Sequence, residues 1–387
     1  MFNQTTHPAA PIDPDDLTLA LKPFGSSRML PKAAYVEPAV LEWERKHIFS
    51  RWVCIGRSSE VPERRSMKSF DLGRSSVLVA RGDDGRLRAF ENACRHRGHE
   101  LLPCNGVAES RSIVCPYHAW TYELDGSLRG APGFKNHGDF DRSELGLFAM
   151  PVEDWHGWLF VDPSGRAGSL ADHVGELEDI VARYDAETLK TPVTHTYDVA
   201  ANWKVIVENY QECYHCSMIH PELCKVSPPT SGENISSKGN WVGGWMDLRD
   251  GAVTMSLDGQ SSGAMMARLD ETEQHTVMYV AMLPNLLISL HPDYVMSHLL
   301  TPITPDRTRI TCSWAFPPHA MEAESFDPSY AVDFWDLTNR QDWSACESVQ
   351  RGIQAPRYVP GPLAPAEDGV YHFVSLIARM YSGEVTP

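Results

Sequence analysis

Two short segments pair a thiol with an imidazole: Cys94-Arg-His96 and Cys115-Pro-Tyr-His118. Two thiolates and two imidazoles divided in this way suit a Rieske-type [2Fe-2S] cluster. In such a cluster the cysteines hold one iron, the histidines hold the other, and the potential lies above that of an all-cysteine cluster. Zinc is the competing reading, since two Cys and two His also make a structural zinc site. Zinc spacing, however, usually takes both cysteines from one half and both histidines from the other, whereas here each half supplies one of each.

A second group of candidate ligands lies downstream, where His215 and His220 follow Glu208, Asn209 and Glu212. A separation of five would point two side chains about 140° apart on a regular helix. Pro221 pushes His220 out of the helical region, so His215 is expected at a helix end and His220 on the turn beyond. Two histidines need a carboxylate to complete the open facial triad that binds non-haem Fe(II) and leaves positions for O2. Asp342 is the best candidate, with Asp333, Asp336 and Glu347 as rivals on the same element. Spacing alone does not separate them. Glu208 could also ligate, although a hydrogen-bond acceptor behind the ligands is its plainer role.

In combination, Cys94-x-His96-Arg-Gly, Cys115-x-x-His118 and Asn202-Trp-Lys…Glu208-Asn…Glu212-x-Tyr-His215-x4-His220 resemble the catalytic α-subunits of the Rieske non-haem iron oxygenases, from about Trp52 to Gln350. Respiratory-chain Rieske proteins carry an extra cysteine in each cluster loop. Arg97-Gly98-His99 and Pro116-Tyr117 have none, and Cys104 has no counterpart beside His118. The resemblance implies that Cys94, His96, Cys115 and His118 hold the cluster and that His215, His220 and Asp342 ligate Fe(II). It makes Glu212 the carboxylate that links a cluster histidine to an iron-ligating histidine, where many members have Asp, and it places the Asn209 amide near the iron. It further implies a homotrimer in which one subunit's cluster faces its neighbour's iron, and an electron donor, reductase or ferredoxin, fed by NAD(P)H. The expected reaction is hydroxylation or demethylation of a small organic molecule. The Glu212-Cys-Tyr-His-Cys…His-Pro-Glu-Leu form leans toward the branch acting on choline, carnitine and betaine. Ring hydroxylation or O-demethylation of an aromatic acid is the alternative, and a Rieske electron carrier without oxygenase activity is the alternative from another class.

Trp241 and Trp245 stand four apart, so on a strand they share a face. They could form part of an aromatic cage for a quaternary ammonium group, with packing in the sheet as the plainer role; Met255, Leu286 and Phe316 are weaker pocket candidates. Cys213-Tyr-His-Cys216 has the spacing of a redox pair, but packing beside the iron site is the expectation. His99 is read as a surface or packing residue.

The elements that must position these groups are legible in outline. The run Val77–Phe90 before the first cluster loop and the run Trp120–Leu128 after the second each contain an Asp-Gly turn, so both loops are expected at the tips of β-hairpins. Four further runs, His275–Leu283, Leu286–Leu290, Tyr294–Ile303 and Arg307–Phe316, follow one another too closely for crossover helices and predict an antiparallel sheet. Helices are expected over Ala200–Tyr214, Tyr330–Arg351 (stopped by Gly352) and Phe373–Tyr381, after an earlier one through Leu41–Phe49. The fold class is therefore α+β, an all-β Rieske domain plus a catalytic domain whose antiparallel sheet is flanked by helices in a helix-grip manner. The expected divisions are an arm and helix over 1–50 packing on the catalytic domain, the Rieske domain over 51–165, and the catalytic domain over 166–387.

With 387 residues, 42% of them hydrophobic, the chain can bury two substantial cores. A formal net charge of −17 makes nucleic acid or an anionic membrane an unfavourable partner. No apolar run approaches the length of a membrane span, and the acidic N-terminus lacks the pattern of a secretory signal. Cytoplasmic residence is the default expectation. Nine cysteines in a chain of this size do not form a disulfide scaffold, and most are expected to be reduced.

Overall fold

Alternating side chains and tight turns build the smaller of two units, Ser50–Leu170. In the computed structural model, which describes residues 7–134, 138–235 and 238–385, this unit contains a five-stranded antiparallel sheet and two three-stranded ones. Strands Ser66–Asp71, Ser76–Arg81 and Leu87–Glu91 form the centre of the larger sheet, with Val107–Glu109 and Ala149–Met150 at its edges. The hairpin of Thr121–Tyr122 with Leu128–Gly130 turns at Asp125-Gly126. Gly126 has φ +88°, and a Cβ there would lie 2.4 Å from the Phe90 ring; glycine meets both demands. The core below it gathers Leu78, Phe90, Trp120 and Tyr122 together with Cys94 and Cys115. Segment 162–170 folds back on the unit's own start, with Ser164 N–H donating to the Ser50 carbonyl and the Trp52 indole to Gly168.

The second unit comprises Met1–Phe49 and Ala171–Pro387. Its frame is a seven-stranded antiparallel sheet in the order Lys190–Val199, Arg307–Phe316, Val295–Thr304, Leu286–Leu290, Thr276–Met282, Trp241–Asp247, Glu233–Ile235. The four runs read from the sequence are its central strands. Pairing of Tyr279 with Ser289, Ser289 with Met296 and Met296 with Trp314 puts these side chains on one face. Helices Trp203–Tyr210, Ser329–Gln354 and Asp368–Ser382 pack against the sheet.

The helices depart from their sequence readings in local ways. The first ends at Tyr210 rather than continuing to residue 214, because beyond Gln211 the Glu212 carboxylate accepts the N–H groups of Tyr214 and His215 and closes a separate turn. The long helix continues through Gly352 to Gln354 and the last begins at Asp368. The N-terminal arm forms two short helices, Pro14–Leu17 and Lys32–Val36, before helix Pro38–His47. Buried Glu44 on that helix pairs with buried Lys204 at 2.6 Å and accepts the Trp203 indole N–H at 2.9 Å, which ties the arm to the helix leading toward the histidines. Among the described residues no helix is long and apolar enough to cross a membrane.

Candidate metal centres

Cys94 and Cys115 open two loops with the same backbone hydrogen bonding. In each, the cysteine N–H donates to the carbonyl five residues on, His99 or Trp120, at 2.8 Å. The cysteine carbonyl accepts from the N–H four residues on, Gly98 at 2.8 Å or Ala119 at 3.0 Å. That fourth residue has positive φ in both loops, +73° at Gly98 and +56° at Ala119. The chain therefore curls twice in the same way, with the cysteines buried at the base. His96 is half-buried and His118 exposed at the tips, their ring centroids 4.8 Å apart.

The surroundings suit a cluster with two thiolates inside and two imidazoles outside. Tyr122 Oη accepts the Arg95 N–H at 3.0 Å, so its proton is directed to Cys94 Sγ, 3.2 Å away. Burial pushes the Cys94 thiol up, against the Tyr122 hydroxyl and the His96 N–H, which favour the thiolate. His96 stacks on Trp120 with centroids 4.9 Å apart, which fixes its ring plane. His99 is exposed and turns Nδ1 to the Glu100 carbonyl.

In the larger unit three ligand atoms converge. His215 Nε2 lies 3.2 Å from His220 Nε2 and 3.3 Å from Asp342 Oδ1, and His220 Nε2 lies 2.9 Å from the same oxygen. Neighbouring ligands of an octahedral ion at roughly 2.1 Å stand about 3.0 Å apart, so the three atoms fit one face of such an ion. Their backs are tied. Glu212 Oε1 takes the Nδ1 proton of His215 at 2.5 Å, and the Gln341 carboxamide oxygen takes that of His220 at 2.7 Å. With both Nδ1 atoms protonated, both Nε2 lone pairs face the common centre, as in metal sites generally. Burial opposes charge on His215, but Asp342 and Glu212 outweigh it and push the imidazole up to about 9. A place that draws a proton on to an imidazole this strongly also favours a metal cation.

Local structure explains how residues five apart meet. His215 caps the short helix Cys216–Ile219 at its start, and His220 caps its end with φ −119° and ψ 68°. His220 therefore does leave the helical region, on a helix separate from Trp203–Tyr210. Asp342 projects from the middle of Ser329–Gln354. Its rivals are engaged elsewhere or point to solvent. Asp336 binds Tyr197 and Arg340, Glu347 accepts the Ala200 N–H, and Asp333 is exposed. Glu208 is buried, accepts the Tyr35 hydroxyl at 2.8 Å and is pushed up to about 8, burial outweighing Tyr35 and Lys204. The Asn209 amide nitrogen lies 3.5 Å from His215 Nε2.

Cys213 and Cys216, expected to be a packing pair, are joined as a disulfide with Cα atoms 4.9 Å apart. Three residues is a separation that one turn can bridge. Both line a cavity of about 360 Å³ that also contains His215, His220 and Asp342. Trp245 lines it, whereas Trp241 is buried in the sheet outside the lining, and so are Met255, Leu286 and Phe316 in the core. Tyr210, Tyr279 and Trp335 form the aromatic wall instead. They escaped the sequence reading because nothing in their local motifs sets them apart from core aromatics. Gln341 was missed as well, although its place beside Asp342 is a usable signal.

The family model described as "Ring hydroxylating alpha subunit (catalytic domain)" matches residues 186–383, and the "Rieske [2Fe-2S] domain" model matches residues 51–147. The glycine betaine monooxygenase oxygenase subunit of Pseudomonas aeruginosa is 32% identical over 376 residues, covering 89% of this chain and 87% of its own. The carnitine monooxygenase oxygenase subunit of Escherichia coli K12 is 36% identical over 379 residues, covering 91% and 93%. Among solved structures, a quaternary ammonium Rieske monooxygenase in complex with L-carnitine shares the fold with a TM-score of 0.78 at 24% identity, over 96% of this chain and 99% of that one.

Proposed function

The chain belongs to the catalytic α-subunits of the Rieske non-haem iron oxygenases, and we propose that it is the oxygenase subunit of a system that oxidises a small quaternary ammonium compound. The observation that carries the substrate reading is the lining of the cavity beside the triad. It presents Glu212, Glu233, Asp342 and Asp368 and the rings of Tyr210, Trp245, Tyr279 and Trp335, with no lysine or arginine among the described lining residues. Carboxylates and ring faces attract a cation. An aromatic acid would find no lysine or arginine among the described lining residues to pair with.

In this reading Cys94, His96, Cys115 and His118 hold the cluster, and His215, His220 and Asp342 hold Fe(II). The cluster supplies single electrons, and the iron supplies the coordination positions for O2 chemistry. The residues around them orient and exclude. Glu212 and Gln341 fix the two imidazoles through Nδ1, Asn209 faces His215 Nε2, and the aromatic wall restricts water around the bound ammonium methyl groups. Electrons come from NAD(P)H through a reductase, directly or by way of a ferredoxin.

We further infer a homotrimer in which Glu212 connects a neighbour's cluster histidine to His215. Two exposed apolar side chains support it, Tyr214 at 64% and Met218 at 85% exposure, flanking Glu212 and His215 where a second subunit would cover them. Sedimentation equilibrium should give three times the chain mass.

The substrate reading is tested by O2 uptake with a competent reductase on a panel of glycine betaine, carnitine, choline and benzoate-type acids. Uptake coupled to a trimethylammonium compound is expected, and coupled turnover of the aromatic acids alone would refute it.

A further inference from the structure

Of the nine cysteines in the chain seven are free, exposed Cys104 included. The one disulfide joins Cys213 to Cys216 and so brackets His215, a member of the candidate triad. It is not needed as a staple. A bridge across three residues closes a loop too short to restrict the unfolded chain by much, and hydrogen bonds already hold the turn. The Glu212 carboxylate accepts the N–H groups of Tyr214 and His215, and the Cys213 carbonyl accepts the Cys216 N–H at 3.2 Å. The position of the bond is more informative. Both residues line the cavity that contains the triad, Cys213 half-buried and Cys216 buried. Cys216 Sγ lies 4.0 Å from His215 Nε2, the nitrogen that faces the common centre.

We propose that Cys213 and Cys216 form a thiol–disulfide switch on the metal centre, open to O2 when the bond is made and closed when it is reduced. A low-molecular-weight thiol entering through the cavity attacks the Cys213 sulfur; the S–S bond breaks, Cys216 takes up a proton, and a second molecule of the thiol releases Cys213. Two thiols become one disulfide, and the pair gains two electrons and two protons. The hydrogen-bonded turn stays, so the freed Cys216 sulfur remains beside His215. On one octahedral ion, sulfur at roughly 2.3 Å and nitrogen at roughly 2.1 Å stand about 3.1 Å apart. A movement of about 1 Å from the observed place therefore makes the sulfur a fourth protein ligand, its proton leaving to solvent. It then holds a position that three ligands leave for O2. The reverse exchange, with the disulfide of the same small thiol, rejoins the pair and withdraws it. The inference rests on the assignment of Fe(II) to the triad and adds a means of control to it.

The test uses the full chain, prepared anaerobically with Fe(II) and an oxidised cluster. The oxidised cluster has no unpaired spin, so the paramagnetic signal of nitric oxide bound at the ferrous site is read alone. A water-soluble phosphine reduces the pair and is then removed, which avoids a thiol that would itself bind iron. Alkylation in denaturant with peptide mass mapping should label Cys213 and Cys216 only after the phosphine, and Cys224 in both states. The nitrosyl signal of the unaltered protein should shift on reduction. Cys213→Ser, whose Cys216 is free throughout, should show the shifted signal without phosphine, and Cys216→Ser the unshifted signal before and after. A staple without a switch would make the two variants alike. Identical signals from the two variants, an unchanged signal after both cysteines are labelled, or labelling of both before the phosphine would each overturn the proposal. Should a variant lose its cluster absorption, the unaltered protein with and without phosphine still decides. No nitrosyl signal from the unaltered, oxidised protein would overturn the iron assignment and the switch with it.

Discussion

His220 Nδ1 lies 2.7 Å from the carboxamide oxygen of Gln341, the residue immediately before Asp342. One turn of helix Ser329–Gln354 thus supplies both a candidate ligand, Asp342, and the group that aims a second, His220.

Gln341→Leu removes the acceptor without touching a ligand. Loss of such a partner typically costs ~10–100-fold in metal affinity. Iron retained after dialysis against a graded chelator series should fall accordingly, and Gln341→Glu, which keeps an oxygen in place, should recover most of it.

Asp342→Ala should separate the two centres. The unaltered chain is expected to carry about three irons, two in the cluster and one at the triad. The variant should retain about two, with the cluster's visible absorption unchanged. Full retention of the third iron would contradict the assignment of Asp342.

Tyr122→Phe deletes the hydroxyl that points at Cys94 Sγ from 3.2 Å. A hydrogen bond to a cluster sulfur stabilises the reduced, more negative state, so its loss should lower the potential. At ~1 kcal/mol for the bond the drop is about 40 mV for one electron. Protein-film voltammetry reads it directly.

Glu208 supplies a pH dependence. Its carboxyl, near 4.5 when exposed, is pushed up to about 8 by burial. Between these values the folded chain holds a proton that the unfolded chain has released, so this contribution to stability is complete below about 4.5 and is lost as pH rises through about 8. Glu208→Gln cannot ionise and still accepts from Tyr35. Its unfolding temperature relative to the unaltered protein should therefore rise between pH 5 and pH 9 by several degrees, each kcal/mol being worth ~2–4 °C in a unit of this size.

What the sequence disclosed and what it withheld divide along a physical line. Cys94, His96, Cys115 and His118 sit in short local motifs, and the four central strands are short runs separated by turn residues; both signals are written within a dozen neighbouring positions. Asp342 was separable from Asp336 and Glu347 only through resemblance, because their difference lies mainly in tertiary partners: Tyr197 for one, beside its same-helix neighbour Arg340, and the Ala200 N–H for the other. Strand Lys190–Val199 was not anticipated, although its pattern of half-buried and exposed residues alternates, because most of its side chains are polar. The aromatic wall assembles from Tyr210, Tyr279 and Trp335, far apart in sequence, and only the fold brings them together.

The Cys216 sulfur lies 4.0 Å from His215 Nε2. As a free thiolate it would bring a soft donor to the edge of a site otherwise made of imidazole and carboxylate, and soft donors favour zinc or cuprous ions. Bonded to Cys213, it has no charge to offer. The disulfide thereby leaves the pocket two imidazoles and one carboxylate as its donor set, with no thiolate among them.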